Sequence, residues 1–110
     1  MIDHLELPID LPYDALAEYC RRWKITRLEV FGSVLRDDFG PDSDVDFLAT
    51  FDPDARWSLF DIVHAEEELS SVVGRSVDFV ERPSIEASKN WIRRRSILES
   101  AQTIYAALTP

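Results

Sequence analysis

Asp44-Val45-Asp46 is the part of this chain with the most chemistry in it. Residues i and i+2 of a strand share a face with Cα atoms about 6.5–7 Å apart, so both carboxylates would project together. Like charges held on one face repel, and desolvation penalises the charged form of each. A divalent cation between them relieves both. Mg2+ suits such a pair, because it takes one or two carboxylates and keeps its other positions for water and phosphate oxygens. Asp78 is a third candidate: in Val77-Asp78-Phe79-Val80 it alternates away from Val77 and Phe79, on what reads as a neighbouring strand. A third carboxylate would complete a two-metal site. The same stretch can also be compared with a calcium loop, Asp42, Asp44 and Asp46 taking its positions 1, 3 and 5. That reading fails, because Phe47 stands where the loop needs Gly and Pro53 where it needs Glu.

Upstream, the alternating segment Arg27-Leu28-Glu29-Val30-Phe31 runs directly into Gly32-Ser33. Glycine permits close backbone approach to a ligand, and serine adds a hydroxyl beside free N–H groups. Amides opening a short helical turn attract phosphate. Arg36, one turn on, can reach the same anion. A phosphate seat followed by a Mg2+ face is what metal-dependent transfer from a nucleoside triphosphate requires. Gly32-Ser33 lacks the second Gly and the Lys of a Walker A loop, which argues against an ATPase or GTPase.

Phe31-Gly32-Ser33-Val34-Leu35-Arg36, followed by Pro41-Asp42-Ser43-Asp44-Val45-Asp46-Phe47, resembles the G-S-x-x-R…S-D-x-D signature of the DNA polymerase β-like nucleotidyltransferase superfamily. The closer resemblance is to its minimal nucleotidyltransferases (MNT), stand-alone domains of about this length. Val77-Asp78-Phe79-Val80, after Gly74-Arg75, is similar to the strand that carries their third carboxylate. The stretch from Ile92 to Ala101, with Ile104-Tyr105, is similar to their tail, so the resemblance runs from residue 12 to residue 105. It implies that Gly32, Ser33, Arg36 and Ser43 hold the nucleotide. Asp44, Asp46 and Asp78 would be the catalytic and metal-binding carboxylates, Asp78 also helping to deprotonate the acceptor. The implied cofactor is Mg2+, about two ions, and the implied substrate is ATP, whose AMP passes to a hydroxyl. The implied partner is a HEPN-type ribonuclease toxin, modified on a tyrosine, so that this chain is the antitoxin of a HEPN/MNT toxin–antitoxin module. The competing expectation is a binding protein with a vestigial site, neutralising its partner by contact alone. One departure stands out: many relatives have Gly after the arginine, and this chain has Asp37.

These residues need elements to position them. Leu16, Tyr19, Cys20 and Trp23 at i, i+3, i+4, i+7 predict a helix over 10–23, with Pro12 suited to its first turn. A strand over 27–31, a helical turn over 34–37 and an Asp/Gly/Pro loop over 37–43 follow. Residues 44–51 alternate as a strand. Ser58 and Asp61 open a helix over 58–73 in capping-box fashion, and Gly74 is placed to end it. A strand over 76–80 leads to a last helical stretch from Ser84 to about residue 107, broken near Arg93–Arg95. The order α-β-β-α-β-α predicts one α/β (α+β) domain over 1–110, a small mixed sheet against helices in the polymerase β-like manner.

The chain has 110 residues and 12 Lys+Arg against 21 Asp+Glu, a net charge of −9. Such a balance argues against nucleic acid as a bulk electrostatic partner. No apolar run approaches the roughly 20 residues of a membrane helix, and Met1–Glu6 lacks the basic and apolar regions of a signal peptide. The lone Cys20 has no internal disulfide partner, so the expected compartment is the reducing cytoplasm. Seven aspartates against one arginine between Arg36 and Asp54 concentrate the charge around the proposed metal face. Two bound Mg2+ ions would turn that face towards a polyanionic nucleotide. Arg93-Arg94-Arg95 reads either as a solvated helix face or as a contact for the triphosphate or an acidic partner surface. The oligomeric state, homo- or hetero-oligomer, stays open.

Overall fold

A computed structural model describes residues 9–36 and 39–107. Helix α1 (Tyr13–Arg22) leads into strand β1 (Ile25–Phe31), a single 3-10 turn (Gly32–Leu35) and strand β2 (Val45–Phe51). Then come α2 (Leu59–Val73), β3 (Val77–Glu81), α3 (Arg82–Glu86), α4 (Trp91–Ser100) and β4 (Gln102–Ala106). The sheet has the order β3-β2-β1-β4. β1 runs antiparallel to both β2 and β4, while β2 and β3 are parallel, so the sheet is mixed.

Both faces of the sheet are covered, each by its own apolar layer. Leu28 and Val30 of β1 and Val45, Phe47 and Ala49 of β2 pack against Leu16, Tyr19 and Cys20 of α1 and Leu69 of α2. Alternate residues of the same strands, Phe31 and Leu48, meet Ile85 of α3 and Ile97 of α4 on the other side. Burial on two sides explains why consecutive residues of both strands are buried, Leu28 to Phe31 in β1 and Phe47 to Ala49 in β2. Each large side chain so buried contributes about 1.5–3 kcal/mol relative to exposure. The Tyr19 hydroxyl donates to the Ala65 carbonyl at 2.7 Å and ties α1 to α2. α2 starts at a capping box, with Asp61 N–H donating to Ser58 Oγ and Ser58 N–H to Asp61 Oδ2. It ends at Gly74 in the left-handed conformation, φ +73°. Trp23 and Trp57 pack edge to face, while Trp91 is exposed.

Glu29 is 1% exposed on the second face, where Arg82 Nη1 donates to it at 2.6 Å. This ion pair fastens the start of α3 across β1.

The expected element order holds through the final helix, but the end of the chain differs. The helical stretch begins at Arg82 and breaks over 87–90 rather than near Arg93–Arg95. Asn90 restarts the helix by accepting the Arg93 N–H on its side chain. Residues 102–106 are a strand, not helix, because the open edge of β1 offers a ladder of unpaired backbone groups. Ile104 is buried there and its neighbours Thr103 and Tyr105 suit a pleated surface. Asp37, like His4, lies outside the described residues. Among the described residues no helix is long and apolar enough to cross a membrane.

Candidate active site

Parallel pairing of β2 with β3 sets Asp46 directly opposite Asp78. Neighbouring strands lie about 4.8 Å apart, so the two side chains stand next to each other on one face. On its other side Asp46 faces Phe31, the residue before Gly32. The 3-10 turn therefore begins against the Asp46 carboxylate. Gly32 has φ +74°, and a Cβ added there would overlap Asp46 Oδ2. Only glycine fits both the backbone and the space. The Ser33 N–H lies near enough to the Asp46 carboxylate to favour its charged form, and the Ser33 hydroxyl donates to the Asp44 carbonyl at 3.2 Å.

Burial pushes the Asp46 carboxyl above its usual range, and the Asp78 charge adds to the push, as does Asp44. The Ser33 N–H and the Arg36 guanidinium work in the opposite direction. Asp46 is half-buried while Asp44 and Asp78 are exposed. Asp44 precedes the first paired residue of β2, so it stands at the rim rather than within the ladder.

This crowding of like charge, with hard oxygen donors, fits a divalent cation. Among the described residues no three His, Cys, Asp or Glu side chains converge on one point. With these rotamers any single ion meets at most two carboxylates, the number Mg2+ ordinarily takes beside water and phosphate oxygens.

Asp46 and Asp78, but not Asp44, line a cleft of about 760 Å³, within the size range of ligand sites. Gly32, Arg36, Asp46 and Asp78 form one wall; Asn90, Ile92, Arg93 and Ser96 from the start of α4 form the other. Of the expected nucleotide-binding residues, Gly32 and Arg36 line this cleft, while Ser33 does not and spends its hydroxyl on the Asp44 carbonyl. Ser43 is used by its own loop, where Gly40 N–H donates to its Oγ at 3.1 Å. Two functional candidates escaped the sequence reading. Arg75 Nη2 donates to the carbonyls of Gly40, Pro41 and Ser43 at 2.8–3.1 Å, and the guanidinium lies over the Phe39 ring. It clamps the loop that delivers Asp44. Its only signal in the sequence was its place beside Gly74, ahead of β3. Ser96 of α4 gave no signal beyond its helical spacing from Arg93.

Residues 14–104 match the family model described as Nucleotidyltransferase domain. The chain belongs to the nucleotidyltransferase domain family. Its fold is similar to that of a solved candidate minimal nucleotidyltransferase, at 29% identity and a TM-score of 0.62, over 82% of this chain and 86% of that one. It is also similar in fold to a toxin–antitoxin structure solved with AMP-PNP, at 14% identity and a TM-score of 0.65 over 88% and 75% of the two chains. A third structure of this fold holds a tri-AMPylated Shewanella oneidensis HEPN toxin with its MNT antitoxin, at 13% identity and a TM-score of 0.58 over 86% and 70%. No curated protein matches the sequence. For a nucleotidyltransferase the cleft has the needed contents: paired carboxylates, a glycine turn laid against them, and cationic side chains within the same walls.

Proposed function

We propose that this nucleotidyltransferase transfers AMP from ATP to a hydroxyl, that of a tyrosine on a HEPN-type toxin, and thereby acts as the antitoxin. The observation that carries this reading is the Asp46–Asp78 pair with Gly32 packed against it. The likeness in fold to an MNT antitoxin beside an AMPylated HEPN toxin supports the choice of partner and of transferred group.

In the transfer, the acceptor oxygen attacks the α-phosphorus and forms the new O–P bond as the bond to the α–β bridging oxygen breaks. Pyrophosphate leaves, and the hydroxyl proton passes to the Asp78 carboxylate, which is exposed and accessible to an incoming acceptor. Asp44, Asp46 and Asp78 are the residues that would hold Mg2+, which when bound neutralises charge on the reacting phosphates. The Ser33 hydroxyl holds the Asp44 carbonyl by a long bond of 3.2 Å and can turn to a phosphate oxygen instead. Arg36 supplies positive charge at the same wall.

The test is transfer of label from α-labelled ATP, with Mg2+, to a HEPN-type toxin that this chain neutralises on co-expression. Labelling that disappears with Asp46→Asn and with Asp78→Asn supports enzymatic neutralisation. A toxin neutralised equally by both variants and never labelled makes this chain a contact inhibitor.

A further inference from the structure

Three arginines in succession open α4, and the fold gives each a different surrounding. Arg94 Nη1 donates to the Ser88 carbonyl at 2.6 Å and closes the connection from α3. Arg95 Nε pairs with Glu99 Oε1 at 3.1 Å on the exposed side of the helix. Arg93 lines the cleft. Its backbone N–H goes to Asn90 Oδ1, and among the described residues its guanidinium takes no partner. Ser96 and Ser100, at i+3 and i+7 from Arg93, line the same cleft. The Ser100 hydroxyl is spent on the Ser96 carbonyl at 2.7 Å, which leaves Arg93 and Ser96 as the donors α4 presents there.

The opposite wall carries Asp46 and Asp78, yet Arg93 pairs with neither. An unpaired guanidinium facing a carboxylate wall across a cleft fits an anionic ligand that bridges the two. On the reading that the cleft takes a nucleoside triphosphate, the reacting α-phosphate belongs at the carboxylate wall. On the facing wall Arg93 is the cation of α4 that lines the cleft, and the β- and γ-phosphates are the charges beyond the α-phosphate that it can meet.

We infer that Arg93, with the Ser96 hydroxyl one turn further along α4, binds the two terminal phosphates of the nucleotide. Arg93 thereby selects a triphosphate over a monophosphate and stabilises the charge of the departing pyrophosphate. This assignment rests on the nucleotide reading of the cleft. The guanidinium is suited to it, since its fork of donors meets two phosphate oxygens at once.

Calorimetric titration of the full chain in excess Mg2+ tests this with three probes: α,β-methylene ATP, AMP and inorganic pyrophosphate. Arg93→Ala should weaken binding of the triphosphate analogue and of pyrophosphate about ten- to a hundredfold, the scale of charge-assisted hydrogen bonds. AMP binding should change less than about threefold on the same grounds. Arg93→Lys should recover part of the loss, as a point charge without the fork. Arg95→Ala, with its ion pair on the outer side of the helix, should leave all three affinities unchanged. Equal weakening of AMP and the analogue would assign Arg93 to the nucleoside and overturn the inference. So would an Arg93→Ala chain that binds every probe like wild type. A wild-type chain that binds the analogue no better than AMP overturns it as well, whereas one that binds no nucleotide at all overturns the cleft's reading together with it.

Discussion

Gly32 is held to its residue type twice over, by φ +74° and by the Asp46 carboxylate where a Cβ would sit. Gly32→Ala should displace that carboxylate and cost about a hundredfold or more in nucleotidyl transfer, the usual effect of misplacing a reacting group by an ångström. The left-handed backbone adds about 1 kcal/mol of lost stability, readable by urea denaturation, with the far-ultraviolet spectrum unchanged. Asp46 stores a different cost. Burial and the Asp78 charge disfavour its ionised form, so Asp46→Asn should keep or raise the melting temperature while abolishing activity, as at other strained functional sites. Mg2+ should raise the melting temperature of wild type and leave that of Asp46→Asn unchanged; equal shifts in both would remove Asp46 from the metal's ligands. Strand parity was enough to set Asp46 and Asp78 on one face, because a period of two fixes which side chains share it, and Gly32 was marked by its place at the end of a strand. Ser43 and Arg75 were not readable in that way. Their partners are carbonyls and amides of an irregular loop, which leave no periodic trace.

Asp46 and Asp78 are far apart in sequence, and it is the parallel register of β2 and β3 that joins them. That register is held by the alternation of both strands, since a slip of one residue would move the side chains packed under α1 and α2 to the face that carries the carboxylates. On the same face, the Glu29–Arg82 pair anchors α3, and with it the helical layer that carries the second wall of the cleft. Arg82→Met leaves the Glu29 carboxylate buried without its closest partner, and should cost about 3–5 kcal/mol in urea denaturation. Glu29→Leu combined with Arg82→Met should recover most of that loss, because the pair's desolvation penalty disappears with it. The elements α1 to β3 followed from period and capping signals alone. β4 did not, since Thr103, Ile104 and Tyr105 become a strand only because β1 has an edge to pair with. The split between α3 and α4 likewise depends on Asn90 as a cap, a signal hidden within a helical-looking run.

At the scale of the molecule, one sheet serves two purposes with its two faces. The first is a closed apolar layer under α1 and α2; the second begins as an apolar layer under α3 and α4 and opens into the cleft. The closed side contains Cys20, whose thiol is pushed up by burial from its ordinary 9.0 to about 12, and Tyr19, whose hydroxyl moves upward for the same reason. A raised thiol stays protonated in the folded chain while the unfolded chain ionises, so stability from this group is complete below pH 9 and lost as the pH rises towards 12. Unfolding midpoints in urea should accordingly fall through that alkaline window, and Cys20→Ala should flatten the fall. The net charge of −9 gains a meaning at this scale too. Part of it is the carboxylate face of the cleft, where a cation and a nucleotide would meet, so an acidic chain and a polyanionic substrate are compatible. The most direct measurement of that claim is the intact mass of a HEPN-type toxin after co-expression with this chain. Wild type should leave the toxin heavier by whole AMP units, placed on tyrosine by fragmentation, and Asp46→Asn should leave its mass unchanged and the cells poisoned. An unmodified toxin silenced equally by both chains would contradict the account.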